Sequence, residues 1–244
     1  MSDKKIRIDE LIFLRGLSES RTKAQALILA GRVICNGKEV LKPGEKVLSN
    51  AIIEIKESLP YVSRGGLKLE TAIKHFEISL EGKIAMDVGA STGGFTDCLL
   101  KHGAQKVYAI DVGYGILDVT LRNDKRVVNI EKTNIKFLDR DKVPDEIDIA
   151  VIDVSFISLT KVLPKVLEFL KKDAEIVALI KPQFELTPKE VGKGGIVKDE
   201  ELKKKAVEKI KDFASSLNLN IEGVVPSQIT GKKGNQEFLI YLKT

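Results

Sequence analysis

Apolar positions recur along the chain in two rhythms. Between residues 7 and 30 they fall at helical spacing, first Ile8, Leu11, Ile12 and Leu14, then Ala24, Leu27 and Ile28 after the polar stretch SESR. Ser18 or Ser20 is placed to cap the second of these helices, and Gly31 to end it. In VICNGKEV, the Asn36-Gly37 pair between apolar residues predicts a two-residue hairpin, followed by a Pro43-Gly44 turn and the strand-like AIIEIKE. From Lys83 onward the rhythm changes to short, nearly continuous apolar runs: IAMDVGA, KVYAIDV, VVNIE, DIAVIDVS, EIVALIKP, GVVPSQI and EFLIYLK. Runs of this kind separated by helical patterns predict an α/β domain whose seven-stranded, mostly parallel sheet is covered on both faces. The last two runs follow a long helix at about 199 to 216 and are expected to pair as a hairpin at the sheet edge. The patterning thus divides the chain into a small α+β module at 1–58, a linker at 59–63 hinged at Leu59-Pro60, and an α/β domain at 64–244 that includes the helix SRGGLKLETAIKHF.

Composition narrows the class. Of 244 residues 43% are hydrophobic and 31% charged, which describes a globular protein with a substantial core. Forty basic residues against 35 acidic ones give +5, a balance that permits a polyanionic partner without demanding one. Cys35 and Cys98 sit in apolar surroundings and make no zinc-like spacing with the isolated His75 and His102, so neither a disulfide framework nor a metal site is expected. The N-terminal MSDKKIRIDE lacks the apolar core of a signal peptide, and no run approaches the ~18 apolar residues of a membrane span. The expectation is a cytoplasmic protein with free thiols and no stable membrane association.

The stretch DVGASTGGFTDCLL, residues 87–100, sets a glycine-rich turn between a strand and a helix, where backbone amides can approach a ligand at the carboxyl end of a sheet. A phosphate-binding P-loop would need a lysine after its last glycine, and none follows Gly94. A nucleophile elbow, G-x-S-x-G, is present as Gly89 to Gly93, but the only histidine after Ser91 is His102 in the very next helix, which leaves no triad. A nucleotide site remains, and Asp111 at the end of the next strand has the spacing of a ribose-binding acid. Together Asp87, the loop GASTGG and Asp111 resemble the S-adenosylmethionine site of class I methyltransferases.

Charged residues also stand at the ends of three apolar runs: Asp153 after VI, Lys181 after ALI and Glu237 before FLIY. Lys68 adds a fourth in the helix that opens the second domain. In the order Lys, Asp, Lys, Glu they resemble the tetrad of RNA 2′-O-methyltransferases of the FtsJ type. The N-terminal arrangement from IRIDEL to EKV resembles the S4 domain, a small RNA-binding module. With SRGGLKL, DVGASTGGFTDCLL, IDVSFISL, KPQFE and KGGIV in that order, the whole chain is similar to the haemolysin A (TlyA) family of ribosomal RNA ribose methyltransferases.

That resemblance implies a Rossmann-like class I methyltransferase domain with Lys68, Asp153, Lys181 and Glu237 as catalytic residues. It places Asp87, Gly89, Ser91, Gly93, Gly94 and Asp111 around the cofactor S-adenosylmethionine and Asn134 near its adenosine. It implies RNA contacts at Arg7, Arg21, Lys23, Arg32 and Lys38, with Arg64 beside the second domain, and ribosomal RNA or a ribosomal subunit as partner, with a large-subunit cytidine as target. A ribose hydroxyl must lose its proton to a base as it attacks a methyl group. Lys181 is the expected base, Lys68 the neighbouring cation, and Asp153 and Glu237 the acceptors that position both. Two other classes compete: a cytolysin acting on membranes, for which the chain offers no span, and an RNA-binding protein without catalysis, which would not need the tetrad.

Overall fold

Two units divide the chain, Met1–Leu59 and Pro60–Thr244. The computed structural model describes residues 5–29, 31–56, 60–192, 194–231 and 234–244. The end of the first module at 57–58, Leu59 of the hinge and Lys193 of KGGIV lie outside the described residues.

The first unit runs β1 (Lys5–Arg7), α1 (Ile8–Leu14), α2 (Arg21–Leu29), β2 (Val33–Cys35), β3 (Lys38–Glu39), β4 (Lys46–Leu48) and β5 (Ile53–Ile55). β1 pairs with β4, and β2 lies between β3 and β5. Ser20 rather than Ser18 caps α2, its Oγ accepting from the Lys23 amide at 3.1 Å. Asn36 at φ 47° and Gly37 at φ 76° both take the left-handed conformation that a two-residue hairpin turn requires, and they join Cys35 to Lys38. Ile8, Ile12, Ala24, Ile28, Val33 and Val40 form the small core. Leu14, placed on the apolar face by its spacing, is exposed because α1 ends there.

The second unit continues α3 (Gly65–Phe76), β6 (Ile84–Val88), α4 (Gly94–Lys101), β7 (Lys106–Ile110), α5 (Val119–Arg122), β8 (Val127–Ile130), β9 (Ile147–Ile152), α6 (Leu163–Leu167), β10 (Leu170–Ile180), α7 (Pro182–Glu185), α8 (Glu200–Ser216), β11 (Asn220–Pro226) and β12 (Phe238–Lys243). Its seven strands are ordered β11-β12-β10-β9-β6-β7-β8. Only β12 runs against its neighbours. One core holds Leu69 and Ala72 of α3 with Leu99 of α4, and a second holds Leu163 and Val166 of α6 with Ile210 and Ala214 of α8, so helices cover both faces.

The last two strands pair antiparallel as a hairpin at the sheet edge, with β11 outermost and β12 between it and β10. Leu239, Ile240, Tyr241 and Leu242 are all buried, so β12 needs cover on both faces, whereas β11 is largely half-buried or exposed and suits the edge. One expectation changes: the linker is shorter than 59–63. Tyr61 is buried in the core of the second unit, and the Val62 amide donates to Asp97 Oδ2 at 2.9 Å, so the chain joins that unit from Pro60 onward.

Candidate active site

The carboxyl ends of β6 and β9 mark the point where the strand order reverses, and this is where an open α/β sheet leaves a crevice. Gly89 leaves β6 at φ 88°, and a Cβ there would lie 2.5 Å from the Asp153 carbonyl oxygen. Only glycine lets the two strand ends come this close. Gly94, which opens α4, plays the same part against α3: a Cβ on it would meet Ser63 Oγ at 2.3 Å. The SRGG and TGG stretches therefore touch, and the contact carries Lys68 to the glycine loop.

Asp87, the residue before Val88 at the end of β6, is fully buried. Its Oδ2 accepts from Thr96 Oγ1 at 2.6 Å, while Oδ1 has no hydrogen-bond partner. Burial pushes the carboxyl up to about 7, against the pull of the Thr96 bond.

Asp111 follows β7. Its Oδ2 accepts from the Ser91 amide and its Oδ1 from the Gly113 amide, each at 2.7 Å. These bonds brace the loop at Ser91, which itself sits at φ 51°. Asp111 and Asn134 line a cavity of about 510 Å³ together with the apolar Ile110, Ile116 and Ile135. Asn134 also caps the short turn Ile135–Phe137, accepting from the Lys136 amide at 3.0 Å. A second cavity of about 340 Å³ is lined by Ser63, Arg64, Lys68, Gly94 and Phe95. The two share Gly89, Ser91 and Asp153.

The four charged residues form two pairs. Lys68 Nζ lies 2.5 Å from Glu237 Oε2, and Lys181 Nζ lies 2.5 Å from Asp153 Oδ1 while donating to Ser155 Oγ at 3.0 Å. The Asp153 contact is an ion pair without hydrogen-bond alignment at Oδ1. Sheet register explains the meeting. Ile180 of β10 stands opposite Phe238 of the reversed β12, so Lys181 at the end of one strand is carried beside Glu237 at the start of the next. Ala178 stands opposite Ile152, which sets Asp153 one strand further on. Both lysines and Glu237 are buried, and Lys68 is not a solvated helix residue.

Residues 61–244 match the family described as FtsJ-like methyltransferase, and residues 6–53 match the S4 domain. The chain belongs to the FtsJ-like methyltransferase family. It is 48% identical to Hemolysin A of Brachyspira hyodysenteriae over 97% of this chain and 99% of that one. It is 41% identical to the 16S/23S rRNA (cytidine-2′-O)-methyltransferase TlyA of Mycobacterium tuberculosis, covering 99% of this chain and 91% of the relative. A solved structure described as a putative hemolysin from Streptococcus thermophilus superposes with a TM-score of 0.76 at 42% identity, covering all of this chain and 90% of that one.

In the FtsJ-like domain, Lys68 and Asp153 line the two cavities with Gly89, Ser91, Gly94 and Asp111, while Glu237 and Lys181 line neither and stand behind them, paired to Lys68 and Asp153. Gly93, at φ 93°, turns the loop into α4. Arg64 is exposed on the second cavity, its guanidinium donating to the Thr230 carbonyl at 3.2 Å. In the S4 domain the candidate RNA contacts are less free. Arg7 and Arg21 both bond the buried Asp9, Arg32 donates to the Lys56 carbonyl, Lys23 pairs with Glu19, and Lys38 is exposed on β3. The Arg7 bond is the main cause holding the Asp9 carboxyl far below the usual range. The sequence patterns do not single out Ser155, Thr96 or Glu185. The available signal was a polar side chain inside a motif already quoted, as in IDVSFISL and KPQFE.

Proposed function

We propose that the chain methylates a ribose 2′-hydroxyl of ribosomal RNA, at a cytidine of the large subunit, with S-adenosylmethionine as donor. The observation that carries this reading is the pairing of two buried lysines with two carboxylates, Lys68–Glu237 and Lys181–Asp153, beside the glycine loop. The residues suit the donor. The larger cavity offers apolar Ile110, Ile116 and Ile135 to an adenine, and Asp111 to ribose hydroxyls, within the range of volumes that small-molecule sites take. Bound there, S-adenosylmethionine supplies an electrophilic methyl group.

The side chains do the rest. Lys181 Nζ, once it has released its own extra proton, takes the proton from the 2′-hydroxyl oxygen, which gains the methyl in its place, and Ser155 and Asp153 hold that nitrogen at its post. Lys68, held by Glu237, reaches the second cavity and orients the hydroxyl. Asp153 borders both cavities, which puts a negative group where a positive sulfonium would lie. The S4 domain supplies cations for RNA phosphates, and the relative named as a 16S/23S rRNA (cytidine-2′-O)-methyltransferase supports ribosomal RNA as the substrate. The test is mass-spectrometric mapping of ribose methylation in ribosomal RNA after incubation with the full chain or with Lys181→Ala. New 2′-O-methylcytidine with the wild type alone is expected. Identical maps would overturn the reading.

A further inference from the structure

Glu185 is a buried carboxylate that this chemistry does not use. It closes α7, four residues after Lys181, and lines neither of the two cavities. Its Oε1 accepts from the Leu159 amide at 2.8 Å and its Oε2 from Ser158 Oγ at 2.5 Å. Lys209 of α8 donates to the Glu185 carbonyl at 2.5 Å and lies 3.2 Å from Oε2. One side chain thus ties together the segment after β10, the segment after β9 and the long helix.

What it ties is the loop that carries Asp153 and Ser155, the two partners of Lys181. Residues 153–159 leave β9 with the Asp153 amide donating to the Val88 carbonyl at 3.0 Å, and Ser155 accepts from Lys181. Phe156 then takes φ 64°, with its ring 5.0 Å from that of Phe184 and the side chain largely in solvent. A bulky residue keeps a left-handed conformation only where the surroundings fix the chain on either side. β9 fixes one end of this loop, and Glu185 fixes the other.

We propose that Glu185 is a positioning residue for methyl transfer: by clamping Ser158 and Leu159 it holds the loop that sets Asp153 and Ser155 against Lys181. The inference rests on the reading of the site as a ribose methyltransferase. Misplacing a catalytic group by an ångström can cost about 100-fold in rate. Glu185→Ala in the full chain is expected to lower kcat on ribosomal RNA by about 10- to 100-fold. The dissociation constant for S-adenosylmethionine and the KM for RNA should stay near their wild-type values. Glu185→Gln, which still accepts from the Leu159 amide, recovers part of the loss. Ser158→Ala removes a single bond and leaves Glu185 paired to Leu159 and Lys209, so it reads out the same clamp if Glu185→Ala does not fold, with a smaller fall in kcat. Wild-type turnover in folded Glu185→Ala and Ser158→Ala would overturn the positioning role alone. So would a loss of cofactor binding in step with kcat, which marks a merely structural residue. A wild-type chain that methylates no ribose overturns both the role and the reading beneath it.

Discussion

Lys68 Nζ and Glu237 Oε2 meet at 2.5 Å although 169 positions separate them in the chain. The bond joins α3 on one face of the sheet to the start of β12. Removing one partner of a buried ion pair strands the other charge without water, at a cost of about 3–5 kcal/mol, while replacing both by apolar groups costs far less. Glu237→Ala should therefore lower stability by about 3–5 kcal/mol, and the double variant Lys68→Met/Glu237→Leu by less than the sum of its singles. Urea unfolding of the wild type, Glu237→Ala, Lys68→Met, Glu237→Leu and the double variant checks this. Additive losses would mean that the two side chains do not depend on each other.

Asp111 has two duties, since each carboxylate oxygen already accepts an amide before any ribose arrives. Asp111→Ala is expected to weaken S-adenosylmethionine binding by about 2 to 4 kcal/mol through lost charge-assisted bonds. It should also loosen the loop at Ser91. Calorimetric titration gives the first effect, and proteolysis between Gly89 and Gly94 the second. An unchanged dissociation constant would remove Asp111 from the ribose site.

Asp87 makes stability depend on pH in an unusual direction for an acid. Its carboxyl is pushed up to about 7 in the fold, against about 3.9 in an unfolded chain, so the folded state binds the extra proton between those values. Stability is then full below about pH 4 and is lost as pH rises through 7, a fall on the order of 4 kcal/mol for a shift of about three units. Asp87→Asn removes this dependence while keeping an acceptor for Thr96. The check is urea unfolding of wild type and variant from pH 5 to pH 8; parallel profiles would contradict it.

In the S4 domain, cations that hold the fold can be told apart from candidate RNA contacts. Arg7 holds the buried Asp9, so Arg7→Ala should destabilise the first unit and weaken RNA binding together. Lys38 is exposed on its hairpin, so Lys38→Ala should leave the unfolding midpoint alone and reduce the salt dependence of RNA affinity by one phosphate contact. Equal salt slopes for Lys38→Ala and wild type would take Lys38 off the RNA.

Most of the fold was legible because each local signal agreed with the global one. The Asn36-Gly37 turn, the seven apolar runs and the glycine loop all form where residue chemistry alone puts them. The candidate tetrad was legible as three charges at the ends of apolar runs and one lysine in a helix, in a familiar order. Which lysine meets which carboxylate was not, because that depends on β12 entering the sheet in reverse beside β10, and strand order is not written in periodicity. Ser155 and Glu185 escaped notice for a related reason. Their value lies in contacts between segments, and a single serine or glutamate in a motif carries no mark of the partner it will find.

The placement of β12 has a consequence for how the enzyme is made. β12 follows every other strand in the chain, yet it lies inside the sheet and delivers Glu237. A nascent chain can stack β6 to β10 and their helices as they leave the ribosome, but Lys68 stays without its carboxylate until the seventh strand pairs with β10 and brings β11 to the edge. The Lys68–Glu237 pair is therefore completed last, in a step that closes long-range contacts and is intrinsically slow. A shortened product of synthesis that lacks this strand also lacks the partner that holds Lys68 in place.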